Sequence, residues 1–286
     1  MRHLLAIRQL SRIAIEEILD LASAPPSSAL QGRGVALYFE KPSARTRNSV
    51  ELASVQLGGH PVCLQPAELG IGSRESVEDV VRTLACYHAV IAARVFDHCL
   101  LERMAAVRAA PVVNLLSGSD HPLQALADLL TIKQLCGQVA DVSVAYIGDC
   151  SNNVARSLAE GCSLLGAQLR LAAPAGFELC DPPSGVRQTR DPQEAVRGAD
   201  IVYTDVWVSM GQNSEADVRR RACSPYQVNE ELMSLAPHAW FLHCLPARRG
   251  EEVTAGVIDG PRSAVWRLAE NRMHSARGAL QWLLED

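Results

Sequence analysis

The residues best equipped for chemistry stand together in Phe39-Glu40-Lys41-Pro42-Ser43-Ala44-Arg45-Thr46-Arg47. Two hydroxyls and two guanidiniums fall where the apolar run Val35 to Phe39 reads as a strand and Val50, Ala53 and Leu57 then recur at helical spacing. A helix N-terminus at that point turns orphan N–H groups and the positive end of the dipole outward, so an anion is favoured before any side chain is counted. Arg45 or Arg47 adds a two-pronged donor, and Ser43 and Thr46 donate from short stems, which makes the stretch a phosphate cradle. The plainer reading of the same residues is a solvated capping segment.

Arg94 closes another apolar run, and a guanidinium among buried neighbours calls for an anion or a structural ion pair. His121 and Gln124 lie three residues apart at the start of one helix and look out from the same face, the imidazole suited to an oxygen and the carboxamide to an amide. Their bland counterparts are an N-cap histidine and a surface glutamine. In the back half, Gly148-Asp149-Cys150-Ser151-Asn152-Asn153 ends a strand and opens a helix, yet it lacks the glycines a pyrophosphate requires, which argues against an NAD-dependent oxidoreductase. Asn153 is suited to a carboxylate or an amine, or simply to capping. Asp205 sits at the tip of a strand before an exposed Trp207-Val208 and the turn Ser209-Met210-Gly211, where a carboxylate fits a cationic amine and the turn can close over a ligand. Ordinary packing at a sheet edge is the alternative. Cys244, in His243-Cys244-Leu245-Pro246, is a thiol between apolar residues, and with no other ligands at metal spacing no metal is expected. Arg272, in Glu270-Asn271-Arg272, reads as a solvated arginine at a helix start.

These groups need a scaffold, and the pattern supplies one. Ser11 caps an amphipathic helix to Leu21, and the strand-like runs Pro61 to Leu64, Val90 to Arg94 and Val112 to Leu115 alternate with helical stretches. Pro122 opens a long helix to Leu135 with Gly137 as its stop, and a second alternating set begins at Val142 with later strands at Gln168, Ile201 and Trp240. The expected fold class is therefore α/β, with two doubly wound parallel-sheet domains: residues 1–136 plus 271–286, and 137–270. Pro174 to Gln193 reads as a surface connection and Ser214 to Arg221 as a solvated charged stretch, while the last helix, Asn271 to Leu284, is suited to pack on the first domain. In such sheets ligands sit beyond the carboxyl ends of the strands, where Ser43, Arg94 and the loop 117–120 fall.

The 286 residues, 48% hydrophobic and 21% charged, suffice for two cores. A net charge of −5 and a pI near 5.9 argue against nucleic-acid or anionic-membrane partners, so the basic residues at 45, 47 and 94 serve a local task on a small ligand. Nine scattered cysteines without a Cys-x-x-Cys pair fit a reducing compartment. No apolar run has the length of a signal peptide or membrane span, and a cytoplasmic protein is expected.

Taken in order, the segments 39–47, Arg94, 121–124, 205–211, 243–246 and 270–272 resemble the aspartate/ornithine carbamoyltransferases. Asp-Val-Trp-Val-Ser-Met-Gly and His-Cys-Leu-Pro are similar to the ornithine branch in particular, and the likeness runs over nearly the whole chain. The resemblance implies an active site in the cleft between the domains and transfer of the carbamoyl group of carbamoyl phosphate to the δ-amine of L-ornithine, giving L-citrulline and phosphate. It implies that Ser43, Ala44 (through its backbone), Arg45 and Thr46 hold the phosphate, that Arg94, His121 and Arg272 bind phosphate or carbonyl oxygens, and that Gln124 and the Leu245 carbonyl receive the carbamoyl NH2. Asn153, Asp205, Ser209 and Met210 would hold ornithine, with Cys244 beside the reacting amine and the carbamoyl group. Arg94, His121, Asp205 and Cys244 are the expected catalytic set. The resemblance further implies no cofactor and a homotrimer or multiple of trimers.

Two departures stand out. Ser-Ala-Arg-Thr-Arg replaces the family's usual Ser-Thr-Arg-Thr-Arg, so one hydroxyl is missing at Ala44, and residues 69–74, where a neighbouring subunit usually contributes, do not match clearly. Transfer to another amine, or a non-catalytic carbamoyl-phosphate-binding paralogue, are the alternatives these departures keep open.

Overall fold

Short apolar runs become parallel strands because they are buried on both faces, which leaves no solvent side to alternate toward. The computed structural model describes residues 1–208 and 213–285. They form two compact units, one of Met1–Leu130 with Asn271–Asp286 and one of Thr131–Glu270.

In the first unit, β1 (Gly34–Phe39), β2 (His60–Leu64), β3 (His88–Arg94) and β4 (Val112–Leu116) make an all-parallel sheet in the order β2-β1-β3-β4. Ala36, Tyr38, Ile91 and Ala93 pack one face against Val77, Val80 and Val81 of helix Val77–Ala85 and Leu101 and Met104 of helix His98–Ala106. Val35 and Leu37, which point the other way, are also fully buried. Ser76 caps helix Val77–Ala85, accepting from Asp79 N, as its Ser-x-x-Asp spacing predicts. The C-terminal helix Val265–Leu284 brings its last turns into this unit. Gly278 lets it approach the first helix, Arg12–Ser23, so closely that a Cβ there would stand 2.5 Å from the Ile18 carbonyl oxygen. Arg277 donates to the carbonyls of Ala22 and Ala24, both at 2.7 Å.

In the second unit, β5 (Ser143–Ile147), β6 (Gln168–Ala172), β7 (Arg187–Thr189), β8 (Ile201–Thr204) and β9 (Trp240–His243) are again all parallel, in the order β7-β6-β5-β8-β9. Its core joins Ala145, Ile147, Val202 and Phe241 to Val228, Leu232, Val257 and Ile258.

Each sheet therefore reverses its winding once, between β1 and β3 and between β5 and β8, and the crevice beyond the carboxyl ends of those strands is where such sheets bind ligands. In register, Phe39 at the end of β1 lies beside Arg94 at the end of β3.

Four sequence readings change. The connection 174–193 contains the short strand β7, an exposed edge with too few residues to announce itself. The charged stretch after Ser214 folds as helix Ala216–Cys223, held by a contact seventy residues distant in sequence. Trp207 and Val208 are buried, at 3% and 5% exposure. Arg272 lies inside helix Val265–Leu284, and it is buried where a solvated arginine was the expectation.

Candidate active site

Residues 43–47 form a helix start. Ser43, with extended backbone, is the N-cap of helix Ala44–Gln56, and its Oγ accepts from Thr46 N at 3.4 Å. Thr46 is the first buried residue of that helix, and its Oγ1 is the meeting point of two guanidiniums: Arg94 Nη1 donates to it from 3.2 Å and Arg272 Nη2 from 3.0 Å. Ser43 Oγ, which accepts from Thr46 N, donates to the same Thr46 oxygen from 3.1 Å. Arg272 Nη1 donates to Gln124 Oε1, and Gln124 Nε2 donates in turn to Asp128 Oδ1 at 2.8 Å. Ala44 and Arg45 are exposed in the first turn of the same helix.

Arg94, His121 and Arg272 are 5%, 5% and 6% exposed. Burial first, and then the charges of Arg272 and Arg45, pull the Arg94 pKa down from its usual 12.5 to about 10. Burial, with Arg272 and Arg94 adding to it, pushes His121 well below its usual 6.5, so the imidazole is neutral at physiological pH and acts through an N–H rather than a full charge. Lys41 is likewise lowered by burial and by Arg94. Among the described residues, buried Arg94 Nε has no hydrogen-bond partner. Two guanidiniums facing one neutral oxygen, with Arg272 making Arg94 harder to protonate, form an environment that an anion with several oxygens would relieve.

At the reversal of the second sheet, β5 ends in Gly148, whose φ of +113° and approach to Trp207 admit no side chain; a Cβ would stand 3.1 Å from the indole nitrogen. Asp149 does not face a ligand. It is buried at 2% exposure and paired with Arg219 Nη1 at 2.8 Å, and Ser151 bonds the same carboxylate. Asn152 caps helix Asn153–Leu165, accepting from Val154 N and Ala155 N, so capping falls to Asn152 and leaves half-buried Asn153 as the first helical residue.

Asp205, just past β8, accepts from Val206 N at 2.8 Å and from Cys244 Sγ at 3.0 Å through the same oxygen, Oδ1. Burial raises its pKa, and His243 and the two hydrogen bonds only partly offset that, so a cation placed nearby would be stabilising. The ligand atoms of Asp205, His243 and Cys244 lie within 4.8 Å of one another. The trio is nevertheless a poor metal cage: His243 Nδ1 accepts from Leu245 N at 2.9 Å, which puts the proton on Nε2, where Glu252 Oε1 accepts it at 3.2 Å, and no imidazole lone pair is left over. Leu245 itself lies in the left-handed region, at φ +59°. Ser209 and Met210 lie outside the described residues.

The structure thus brings Ser43, Thr46, Arg94, Gln124 and Arg272 into one hydrogen-bonded set within the first unit, with His121 among them electrostatically, and Asp205 and Cys244 into contact within the second. Sequence reasoning overlooked Asp128, Glu252 and the Asp149–Arg219 pair. Asp128 carried a signal, four residues beyond Gln124 on one helix face. Arg219 and Asp149 carried none, because nothing local couples positions so far apart.

Residues 2–134 match the aspartate/ornithine carbamoyltransferase carbamoyl-P binding domain, and residues 140–283 the Asp/Orn binding domain of the same family. The ornithine carbamoyltransferase of Pyrobaculum calidifontis is 46% identical over 99% of this chain and 99% of its own, and that of Hyperthermus butylicus is 49% identical over 89% and 85%. The solved structure of the ornithine carbamoyltransferase from Pyrococcus furiosus superposes with a TM-score of 0.92 at 41% identity, covering 98% of this chain and 96% of that one. With both domain profiles matched in order and whole-length relatives at this identity, the chain belongs to the aspartate/ornithine carbamoyltransferase family.

Proposed function

We propose that this protein carries the carbamoyl group of carbamoyl phosphate to the δ-amine of L-ornithine, releasing L-citrulline and phosphate. The observation that carries the reading is the pair of buried guanidiniums converging on Thr46 Oγ1 at a helix N-terminus. The phosphate takes the place of that single neutral acceptor, with Ser43, Thr46, the Ala44 N–H and Arg45 around it. Arg94 and neutral His121 donate to the carbonyl oxygen, where negative charge grows as the amine attacks. Gln124 and the Leu245 carbonyl take the carbamoyl N–H groups. Asp205, kept in a buried position and in contact with Cys244, holds the ornithine amine, with Asn153, Ser209 and Met210 at the amino-acid end. The new C–N bond forms as the C–O bond to phosphate breaks, and the departing phosphate takes both the bonding electrons and the proton the amine sheds.

The first unit is then the carbamoyl-phosphate-binding domain and the second the ornithine-binding domain. A homotrimer, or a multiple of it, is supported by Leu52 and Val55, which stand half exposed on one side of helix Ala44–Gln56. A cytoplasmic location is supported by nine free cysteines, and no described helix is long and apolar enough to cross a membrane. The test is a turnover assay with carbamoyl phosphate and ornithine, reading citrulline and phosphate, beside lysine, putrescine and aspartate as acceptors. Binding of both substrates without either product would sink the proposal.

A further inference from the structure

We infer that Asp128 is a positioning residue: it fixes which end of the Gln124 carboxamide faces the acyl group, and so gives the site its preference for an acyl phosphate that bears an NH2. The inference rests on the carbamoyl-phosphate reading above and concerns a residue that touches no substrate.

A carboxamide is nearly symmetric in shape and opposite in hydrogen bonding at its two ends, so an unrestrained glutamine presents either a donor or an acceptor. Gln124 and Asp128 are both fully buried, and water cannot arbitrate between the orientations. Asp128 Oδ1 lies 2.8 Å from Gln124 Nε2, one turn along the same helix, Pro122–Cys136. A carboxylate only accepts, so the NH2 end must face it. At the other end Arg272 Nη1, which only donates, meets Oε1. Turning the amide over would set oxygen against carboxylate and NH2 against guanidinium, two repulsive contacts in a dry place.

The oxygen so fixed retains a second lone pair. It is also tied to the phosphate cradle, because the guanidinium that donates to it donates through its other arm to Thr46 Oγ1 at 3.0 Å. A ligand whose phosphate sits at Thr46 therefore meets an obligatory acceptor beside it. An NH2 satisfies that acceptor, and a methyl group in its place does not. Arg272 is one half of the lock, one arm donating to Gln124 while the other donates to Thr46, and the Asp128 oxygen at 2.8 Å is the half that serves the amide orientation alone.

The experiment compares binding of carbamoyl phosphate, acetyl phosphate and inorganic phosphate to the full-length protein by calorimetry, with the melting temperature of each variant alongside. In Asp128→Asn the new side chain accepts or donates equally well, so one of the two contacts that oppose the reversed amide is removed. The ratio of acetyl to carbamoyl phosphate dissociation constants should fall roughly tenfold, the loss expected from one unmade buried hydrogen bond, with inorganic phosphate binding unchanged. The swapped pair, Gln124→Glu with Asp128→Asn, keeps an acceptor oxygen facing the ligand whichever way the group turns, and its ratio should return to the wild-type value. Asp128→Ser takes the place of the asparagine variant if that one does not fold. An unaltered ratio in the single variant overturns the inference, as does parallel loss of all three ligands or failure of the swap to restore the ratio. Because the readout is a binding ratio, it stands or falls independently of whether citrulline is formed.

Discussion

Arg94 and Asp205 are residues whose burial disfavours their charged forms, a cost that substrates bound as proposed would offset. Arg94→Ala should lower kcat/KM for carbamoyl phosphate by about 10²–10³-fold, the loss seen when one preorganised donor is removed, while the melting temperature of the unliganded protein holds or rises. Steady-state kinetics beside calorimetry separates the two. For Asp205 the folded-state pKa is raised, so the folded form binds protons more tightly than the unfolded one, and this group's contribution to stability declines as pH rises through that window. Asp205→Asn should therefore leave stability at neutral pH equal or higher, and raise KM for ornithine at least tenfold, the loss expected when a buried charged pair forfeits one partner. His121 has the opposite sign. Its folded pKa is depressed, so its contribution is complete above the ordinary 6.5 and is lost as pH falls below it. Denaturation midpoints between neutral pH and mild acid should show that decline, and His121→Gln should flatten it. At this scale the sequence was generous with identity and poor on surroundings: the helix start that carries Ser43 and Thr46 was legible, but nothing in the chain announced that Arg272 would be buried against Thr46.

Elements put those residues in place, and here the local signals were strongest where they were periodic. The strands ending at Phe39, Arg94 and Thr204 and the helix opening at Pro122 were legible because runs of buried residues and a proline at the first turn are local signals. Helix Ala216–Cys223 was not, since only Cys223 among its residues is fully buried and its anchor is the ion pair of Arg219 with Asp149. Arg219→Met should cost about 3–5 kcal/mol by leaving the Asp149 charge buried without its partner, and urea unfolding measures it. Arg221→Ala, on the same helix, should stay within about 0.5 kcal/mol of wild type. The close approach of the first and last helices admits a similar test: Gly278→Ala forces a methyl toward the Ile18 carbonyl and should destabilise by about 1–3 kcal/mol.

For the molecule as a whole, alternating strands and helices implied two parallel sheets, and the winding reversals of both sheets explain why the reactive residues of a chain 286 long collect at so few strand ends. Against a net charge of −5 the basic residues at 45, 47 and 94 stood out; Arg94 is buried at a strand end against Thr46, Arg45 is exposed on helix Ala44–Gln56, and Arg47 pairs with Glu51 at 2.8 Å on that helix. Sequence pattern already grouped residues 271–286 with the first domain, but not the contact that seats them there, the fit of Gly278 against the first helix across some 260 positions. Sedimentation equilibrium should report a trimer or a multiple of it, and Leu52→Glu with Val55→Glu should shift the distribution toward smaller species, since charges at half-exposed apolar positions oppose a buried interface.

Arg272 reaches Thr46 from the far side of the chain, 226 positions on. A ribosome translating this message therefore lays down the hydroxyls and the first guanidinium long before the second. A nascent polypeptide that has not yet reached position 272 holds the Thr46 hydroxyl by the Arg94 arm alone, so the paired guanidiniums close on it only after both segments of the first unit have been made.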